Sequence, residues 1–457
     1  MDSSLSEDPL VPLLELSGYL VQKTLERGAF GVVYQCTALD TNKTVAVKAL
    51  SHKENAKEEI SALEQLKKLD LDKNNLVRFN RHFEFPNNIF LEFEKLDMEL
   101  LELVQSFNRP MPLSEIQMIT QQMLVALNAL KSIKMVHRDI KIDNIMLVNH
   151  QLHPFKVKLI DFGLACHVSE LNRGDIFYNL EGRAPEISLG LPLNEAVDMW
   201  ALGCLVASMY IAKFIYSGAC ELGKMGAIVQ LHGQPDEQLL NTGMYTKRYF
   251  HRESPSSPWM LKRKCNCSIK NVSEIARSLT TEDGAGHQPL HGTSLRPFTK
   301  LEGIAMTRLG TAGNEDTRAF VDLLKRMLQV DPGKRIAPSE ALRHPFITMK
   351  YFPSDFSSGP SYHGKTVASQ NDRPPSLGTL QEDLALCMND ELTAASERTT
   401  ENNSHISAET LPVSTNRIWD GDQGGANRGN MGSKVRSRNC FFKKIRRFVS
   451  RLFRSIH

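Results

Sequence analysis

Two short stretches decide the fold of this chain: VHRDIKIDN at residues 136–144 and LIDFG at residues 159–163. Within them, Asp139 is suited to accept the proton of a substrate hydroxyl during phosphoryl transfer. Asn144 and Asp161 offer oxygen ligands to Mg²⁺, which takes few side chains from a protein and keeps its waters and phosphates. The order and separation of these residue types predict a phosphoryl-transfer site.

A glycine turn lies upstream, in the sequence GAFGVV at residues 28–33, between two predicted strands. Gly28 and Gly31 lack side chains, so the backbone N–H groups of the turn can approach phosphates closely. A pair of glycines on its own more often makes an ordinary turn. The signal therefore gains its weight from the stretches that follow.

A lysine, Lys48, ends the next apolar strand. The ordinary interpretation is an edge-strand lysine, whereas next to a glycine turn Lys48 would hold the α- and β-phosphates of a nucleotide. That role requires a carboxylate on the following helix. Glu59 is the preferred partner because it lies beside an apolar helical face that begins at Ile60, and Glu58 and Glu64 are the alternatives.

From about Tyr19 to Ile347 the chain resembles a eukaryotic protein kinase. Besides the motifs above, the resemblance rests on APE at residues 184–186, DMWALG at 198–203 and HPF at 344–346. Arg335 matches the arginine that pairs, in that family, with the glutamate corresponding to Glu186. The resemblance implies an α+β, bilobal protein-kinase fold: a small β-rich N-lobe with one main helix, a larger helical C-lobe, and ATP and Mg²⁺ in the cleft between them.

The resemblance also implies roles for individual residues. Lys141, two residues after Asp139, is typical of Ser/Thr kinases and would contact the γ-phosphate. Phe93 would be the bulky residue behind the adenine, followed by the hinge residues Glu94, Lys95 and Leu96. The residues expected to contact the nucleotide are Gly28, Gly31, Val33, Ala46, Lys48, Glu94 and Leu96.

Within that family, the closer resemblance is to the homeodomain-interacting protein kinases, relatives of the dual-specificity tyrosine-regulated kinases. It rests on LGLPLNEAVDMW at residues 189–200, FVDLLKRML at 320–328 and RAPE at 183–186. It implies protein substrates, among them transcription regulators, a preference through Arg183 for sites followed by proline, and location in the nucleus or cytoplasm. Direct nucleic-acid binding is not expected, because the body of the chain is not uniformly basic.

Three features depart from the closer relatives. Glu26 replaces the first glycine of the glycine-rich motif, and a carboxylate near phosphates is expected to weaken ATP binding. Ile176 occupies the position of the activating tyrosine, with Tyr178 near it but out of register. Arg138 precedes the catalytic aspartate, where homeodomain-interacting members often lack arginine. We predict that Arg138 pairs with Asp175 in place of a phosphate and orders the loop without modification.

These departures leave a second class open. Glu26 and the missing tyrosine favour a pseudokinase that binds partners without transferring phosphate. The retained Lys48, Asp139, Asn144 and Asp161 oppose it, so an active Ser/Thr protein kinase is the prediction. A third interpretation is a membrane-tethered adaptor in which the C-terminal tail is the functional part.

Composition divides the chain further. The 457 residues carry a formal net charge of +3, with 41% hydrophobic and 23% charged residues, which excludes a collagen-like or wholly disordered protein. Residues 1–352 contain equal numbers of basic and acidic residues, whereas residues 433–457 contain nine basic and no acidic ones. The predicted organisation is an N-terminal extension (1–18), a kinase domain (19–347, with N-lobe and hinge 19–96, C-lobe 97–347 and a partly disordered insertion at about 251–317), a disordered acidic tail (348–432) and a basic segment (433–457).

The basic segment has helical periodicity. Between residues 441 and 456 the apolar side chains fall on one side of a helix and the basic ones on the other. Such a helix binds a membrane surface or a partner groove. The run KKIRR at residues 443–447 would also permit nuclear import, and a solvated tail is the ordinary alternative. Cys440 is either an acylation site or a free thiol.

The eight cysteines are scattered without regular spacing, which favours a reducing compartment. The acidic N-terminus predicts no signal peptide, and no apolar run reaches the length of a membrane span. Cys265 and Cys267 lack a second Cys or His pair at ligand spacing, so a metal site there is not favoured.

Overall fold

The computed structural model describes residues 8–28, 31–51, 53–106, 110–216, 220–262, 300–307 and 314–348. The acidic tail, the predicted basic helix at 441–456, and Cys265 with Cys267 lie outside the described residues. Within them, the α+β fold of a β-rich N-terminal part and a helical C-terminal part is confirmed.

The N-terminal part is built on one antiparallel sheet of five strands in the order β1-β2-β3-β5-β4. The strands are β1 (Tyr19–Gly28), β2 (Gly31–Ala38), β3 (Lys43–Leu50), β4 (Phe79–Phe85) and β5 (Asn88–Glu94). Burial alternates along β2, as expected for a strand with one face on the core. Helix α2 (Lys53–Leu66) crosses the other face and buries Leu63 and Leu66 completely.

A second, smaller core lies above this sheet. Helix α1 (Val11–Leu16) packs against β1 and buries Leu14 together with Tyr34 and Phe90. Asp8, just before the helix, accepts hydrogen bonds from the Tyr34 hydroxyl at 2.8 Å and from the Arg27 guanidinium at 2.5 Å. Part of the predicted N-terminal extension is therefore an ordered cover on the sheet.

The C-terminal part surrounds helix α6 (Ala196–Ile211), which is buried on nearly all sides, as a uniformly apolar helix requires. The other helices of this part, within the described residues, are α3 (Leu100–Ser106), α4 (Leu113–Ser132), α5 (Pro185–Leu189), α7 (Glu221–His232), α8 (Glu237–Thr242), α9 (Thr246–Tyr249), α10 (Glu315–Met327), α11 (Pro338–Ala341) and α12 (Pro345–Thr348). No helix within the described ranges combines the length and apolarity needed to cross a membrane.

Three small two-stranded sheets complete this part. They pair β6 (Met135–Val136) with β9 (Cys166–His167), β7 (Ile145–Asn149) with β8 (His153–Leu159), and β10 (Phe250–His251) with β11 (Met260–Leu261). Short 3₁₀ helices span Ile142–Asn144, Val168–Glu170 and Leu301–Thr307. The predicted insertion at 251–317 is thus ordered at both described ends, where Trp259, Leu301 and Ile304 are buried.

Candidate active site

The short strands bring the two deciding stretches side by side. Residues 137–144 connect β6 to β7, and residues 160–165 connect β8 to β9. Because β6 pairs with β9 and β7 pairs with β8, both connections emerge at the same place. The amide of Ile160 donates to the carbonyl of Asn144 at 2.9 Å and ties them together.

Asp139 lies at the centre of the first connection. Its Oδ2 accepts hydrogen bonds from Lys141 Nζ at 2.5 Å and from Asn144 Nδ2 at 2.9 Å. Asn144 Nδ2 also donates to the Asp139 carbonyl at 2.8 Å. Burial raises the pKa of Asp139, and the nearby charge of Lys141 opposes that rise. Two donors thus fix the orientation of this carboxylate, which the predicted role of a general base requires.

Lys48, on β3, reaches two carboxylates. Its Nζ donates to Glu59 at 2.7 and 2.9 Å and to Asp161 Oδ1 at 3.0 Å. Burial alone would lower the pKa of Lys48, but the two carboxylates raise it above its ordinary value. Of the alternative partners, Glu58 is exposed and Glu64 pairs with Lys67 on the surface. The structure therefore joins Lys48 to the preferred glutamate.

Asp161 has a backbone φ of 63°, which turns the chain sharply at the start of this segment. Burial would raise the pKa of Asp161, yet the positive charge of Lys48 lowers it below its ordinary value. The carboxylate is therefore ionised near neutral pH. An ionised aspartate in this position can bind a divalent cation, together with the amide oxygen of Asn144.

Three buried side chains support these loops from behind. The Asp198 carboxylate, on α6, accepts the backbone N–H of His137 at 2.7 Å and that of Arg138 at 3.1 Å. The His137 ring packs edge-on against Phe162 with centroids 4.9 Å apart. Phe162 is thus held in the core, and the preceding Asp161 faces Lys48. The sequence reasoning did not assign this supporting role to His137 or Asp198.

Val33, Ala46 and Lys48 share one face of the five-stranded sheet. Val33 lies opposite Lys48 in the β2–β3 register, and Ala46 lies opposite Phe93 in the β3–β5 register. Side chains two residues apart on a strand point to the same side, so Ala46 and Lys48 are neighbours on this face. The predicted nucleotide-contacting side chains of the strands are therefore brought together beside the ion pair.

The glycine turn closes the β1–β2 hairpin, where Gly28 pairs with Gly31. Gly31 has a φ of 140°, and a Cβ atom there would lie 2.0 Å from the carbonyl oxygen of Ala49. Only glycine fits this position. Glu26 is exposed, and its Oε1 lies 3.8 Å from where a Cβ on Gly28 would be. Glu26 lies opposite Val33 in the β1–β2 register, so its carboxylate is on the same face of the sheet as Lys48, beside the glycine turn.

Comparison with known proteins identifies the family. The family model described as "Protein kinase domain" matches residues 19–347. The chain belongs to the protein kinase family. The resemblance drawn from the motifs is thereby confirmed.

Curated relatives carry the name homeodomain-interacting protein kinase. Homeodomain-interacting protein kinase 2 of Mus musculus is 38% identical over 344 residues, covering 73% of this chain and 28% of the relative. Homeodomain-interacting protein kinase 4 of Homo sapiens is 32% identical over 354 residues, covering 74% and 56%. Homeodomain-interacting protein kinase 1 of Caenorhabditis elegans is 33% identical over 351 residues, covering 73% and 40%. The alignments thus span at most 56% of the length of these relatives.

The kinase hinge is held from the large lobe. Glu94 Oε1 accepts hydrogen bonds from Lys158 Nζ at 2.6 Å and from the backbone N–H of Arg78 at 2.7 Å. Lys158, on β8, is 2% exposed. Phe93 packs against Phe79, with ring centroids 5.6 Å apart. The Glu94 side chain is thus bonded within the protein, and its backbone N–H donates to the Arg78 carbonyl at 3.0 Å, so neither group is directed at a purine.

The predicted ion pair between Arg138 and Asp175 is wrong. Asp175 Oδ2 accepts the backbone N–H of Asn172 at 3.0 Å, which caps a local turn. The Arg138 guanidinium lies over the Phe177 ring, 4.5 Å from its centroid. Arg138 has a φ of 67°, so the chain turns there. Arg138 therefore packs on an aromatic ring, a cation–π contact that arginine makes more often than lysine.

The segment before Ala184 forms a tight turn at Tyr178, whose φ is 65°. Arg183 Nη2 donates to the Tyr178 carbonyl at 3.0 Å, and Arg183 Nη1 donates to Glu221 at 2.8 Å. Lys224, on α7, donates to the Arg183 carbonyl at 2.8 Å and to the Leu180 carbonyl. The backbone of this turn is therefore fixed by two cations whose partners are within the protein.

The sequence reasoning missed Lys158, Lys224 and the buried position of Tyr178. A signal existed for Lys224, since this lysine stands among Leu222, Met225 and Ile228 on a helix that is otherwise largely apolar. A charged residue on an apolar face must find partners when it is buried. Its partners are carbonyl oxygens distant in sequence, which the local pattern does not identify.

Proposed function

We propose that the chain is a Ser/Thr protein kinase that transfers the γ-phosphate of ATP to protein hydroxyls. The observation that carries this proposal is the contact of Lys48 with both Glu59 and Asp161, at 2.7 and 3.0 Å. It joins the strand, the helix and the loop that protein kinases use to hold phosphates and metal. Asp139, oriented by Lys141 and Asn144, lies in the adjoining loop.

The residues fit ATP and Mg²⁺. Asn144 uses its amide nitrogen on Asp139, so its amide oxygen is the group that binds a cation. Asp161 is ionised and offers a carboxylate beside it. Two oxygen ligands match the needs of Mg²⁺ that is also bound to phosphates. When bound, Mg²⁺ neutralises charge on the transferring phosphoryl group.

Side chains of the chain itself bind the phosphates and accept the proton. Lys48, protonated and held by Glu59, binds the α- and β-phosphates. Asp139 accepts the proton of the attacking serine or threonine hydroxyl, and Lys141, 2.5 Å away, binds the γ-phosphate and balances the charge of the carboxylate. The Ser/Thr preference rests on Lys141 in this position.

A preference for proline after the modified residue follows from the turn at Tyr178. A substrate residue next to the phosphorylated one normally needs an acceptor for its backbone N–H. The Tyr178 carbonyl is already occupied by Arg183 at 3.0 Å, so an N–H placed against this turn loses its acceptor. Proline has no N–H to satisfy, and an unsatisfied buried donor is costly.

The transfer itself is tested with wild type, Asp161→Asn and Asp139→Asn, using ATP and a generic protein substrate. We expect phosphate incorporation by the wild type and at least about a hundredfold less by Asp139→Asn, because it lacks the base. Equal background from all three proteins would refute the enzyme proposal and leave a binding function of the pseudokinase kind.

The proline preference is tested with three peptides that carry alanine, proline or N-methylalanine after the serine. If the missing acceptor sets the preference, N-methylalanine should be phosphorylated nearly as well as proline and alanine poorly. If the peptide with N-methylalanine is phosphorylated as poorly as the one with alanine, the proline ring and not the missing N–H sets the preference, and the explanation is refuted.

Partners and location are proposed from the relatives. Those relatives are named homeodomain-interacting protein kinases, so transcription regulators are the first substrates to test. We propose a nuclear location, with the basic segment at 433–457 as the import signal. A fluorescent fusion of the full chain should be nuclear, and deletion of this segment should release it to the cytoplasm.

A further inference from the structure

The side chain of Tyr178 connects two segments: the turn at residues 177–183, called the substrate-binding turn below, and the connection at residues 137–144, called the catalytic loop. Tyr178 is 7% exposed, and its hydroxyl donates to Asp198 Oδ1 at 2.5 Å. The same hydroxyl oxygen accepts the backbone N–H of Ile140, one residue after Asp139, at 3.3 Å. One phenol therefore contacts the loop that carries the catalytic base and the carboxylate that supports that loop.

Asp198 is the common acceptor in this connection. Its two oxygens accept the backbone N–H groups of His137 and Arg138 as well as the Tyr178 hydroxyl. The carboxylate is buried in α6, where each of these donors replaces a water molecule. Removal of the hydroxyl would leave a buried carboxylate with one donor fewer, and would free the turn from the loop.

No phosphate is needed for this connection. The residue in the usual activating position, Ile176, cannot be phosphorylated and is 47% exposed. The carboxylate of the preceding residue, Asp175, accepts a hydrogen bond from the backbone N–H of Asn172. Tyr178 is itself buried with its hydroxyl bonded on both sides, so in the folded chain it is a structural donor and a poor acceptor of a phosphoryl group.

We propose that the Tyr178 hydroxyl is a positioning group that holds the substrate-binding turn against the catalytic loop in place of a phosphorylated residue. This inference rests on the proposed kinase function. It makes activity independent of phosphorylation in residues 164–184. It also makes the catalytic loop and the substrate-binding turn a single unit, joined through Asp198.

The experiment uses the full chain made in bacteria and treated with a broad-specificity phosphatase that is then removed. Five samples are compared: untreated wild type, treated wild type, Tyr178→Phe, Tyr34→Phe and Asp161→Asn. Tyr34 is the matched control, because its buried hydroxyl also donates to a carboxylate, at 2.8 Å to Asp8, on the face of the small sheet opposite to Lys48. Readouts are kcat, KM for peptide and for ATP, thermal denaturation, and hydrogen exchange of residues 177–183.

Treated and untreated wild type should have the same initial rates. Tyr178→Phe should lower kcat by roughly ten- to a hundredfold, as expected for loss of a hydrogen bond to a buried charge. It should leave KM for ATP unchanged and speed exchange in the turn. Tyr34→Phe should lower the denaturation temperature about as much as Tyr178→Phe does and leave kcat unchanged.

Two results would overturn the inference while the enzyme remains active: full kcat in Tyr178→Phe, or loss of wild-type activity on phosphatase treatment. An equal fall of kcat in both tyrosine variants would also overturn it, because the effect would then be general destabilisation. If untreated wild type transfers no more phosphate than Asp161→Asn, the proposed function itself has failed, which is a distinguishable outcome.

Discussion

Arg335 and Glu186 form a bidentate ion pair, with distances of 2.6 and 2.9 Å and both side chains fully inaccessible to solvent. Arg335 also donates to the carbonyls of Ala196 at 2.7 Å and Gln329 at 3.0 Å. Its guanidinium lies 5.2 Å from the centre of the Trp200 ring. The pair joins α5 to the loop between α10 and α11, and Arg335 also binds the first residue of α6; the resemblance to kinases predicted this pair.

Replacement of Arg335 by methionine should destabilise the protein strongly. It leaves Glu186 buried and unpaired, a change that costs about 3–5 kcal/mol in proteins. The matched control is Arg326→Met, which breaks an exposed pair with Asp322 at 3.0 Å and should cost about 0.5 kcal/mol. Urea denaturation measures both. Similar midpoints for the two variants would contradict the prediction.

The pH dependence of kcat should respond to Lys141. Activity rises with pH as Asp139 loses its proton, and burial raises the pKa of this carboxyl. Lys141 opposes that rise, so Lys141→Gln should raise the pKa of Asp139 further and move the rising limb to higher pH. Lys67→Gln, at an exposed pair with Glu64, should leave the limb in place. The measurement is kcat against pH at saturating ATP and peptide.

Two of the glycines with positive φ, Gly31 and Gly233, allow the cost of a steric clash to be measured separately from the cost of backbone strain. Gly233 has a φ of 85° and open space where a methyl group would stand, whereas Gly31 would place its methyl carbon 2.0 Å from the Ala49 carbonyl oxygen. Gly233→Ala should cost about 1–3 kcal/mol of folding stability from backbone strain alone, because a φ of 85° with a ψ of 172° is a conformation that essentially only glycine adopts. Gly31→Ala should cost more and also raise KM for ATP. An unchanged KM would contradict the role given to this hairpin.

Lys224 should give the protein an alkaline stability signature. Burial lowers the pKa of Lys224 to about 8, while the unfolded chain keeps an ordinary lysine pKa of about 10.4. Between these values the unfolded state binds more protons, so this residue makes unfolding free energy increase with pH. Lys224→Met removes that contribution. The unfolding free energy of both proteins is measured at about pH 7.5, 9 and 10. That of the wild type should rise relative to that of Lys224→Met as the pH increases. A difference that stays constant with pH would contradict the prediction.

Much of the site could be predicted because its chemistry is local in sequence. Asp139, Lys141 and Asn144 lie in one loop, so spacing alone places them together. Glu59 followed from the apolar face of its helix, which fixes the side of α2 that meets the sheet. Lys48 and Asp161 are far apart in sequence, and no local pattern links them. Their proximity could therefore be predicted only from the resemblance to a known family.

The rest depended on backbone turns and distant partners. Arg138 and Asp175 have opposite charges, but the turn at Arg138 sends its side chain over Phe177. Tyr178 was judged by its register in the sequence, while its role follows from a φ of 65° that carries its ring into the core. Such turns are determined by tertiary packing, so they cannot be predicted from composition or periodicity.

Glu94 and Lys158 give the nucleotide cleft a fixed edge. Lys158 belongs to a strand of the large lobe, yet it binds the last residue of β5 at 2.6 Å. Glu94 also lies opposite Val45 of β3, the strand that carries Lys48, so this edge of the cleft is held from both lobes. We expect affinity for adenine alone to be less sensitive to changes in the cleft than affinity for the phosphates.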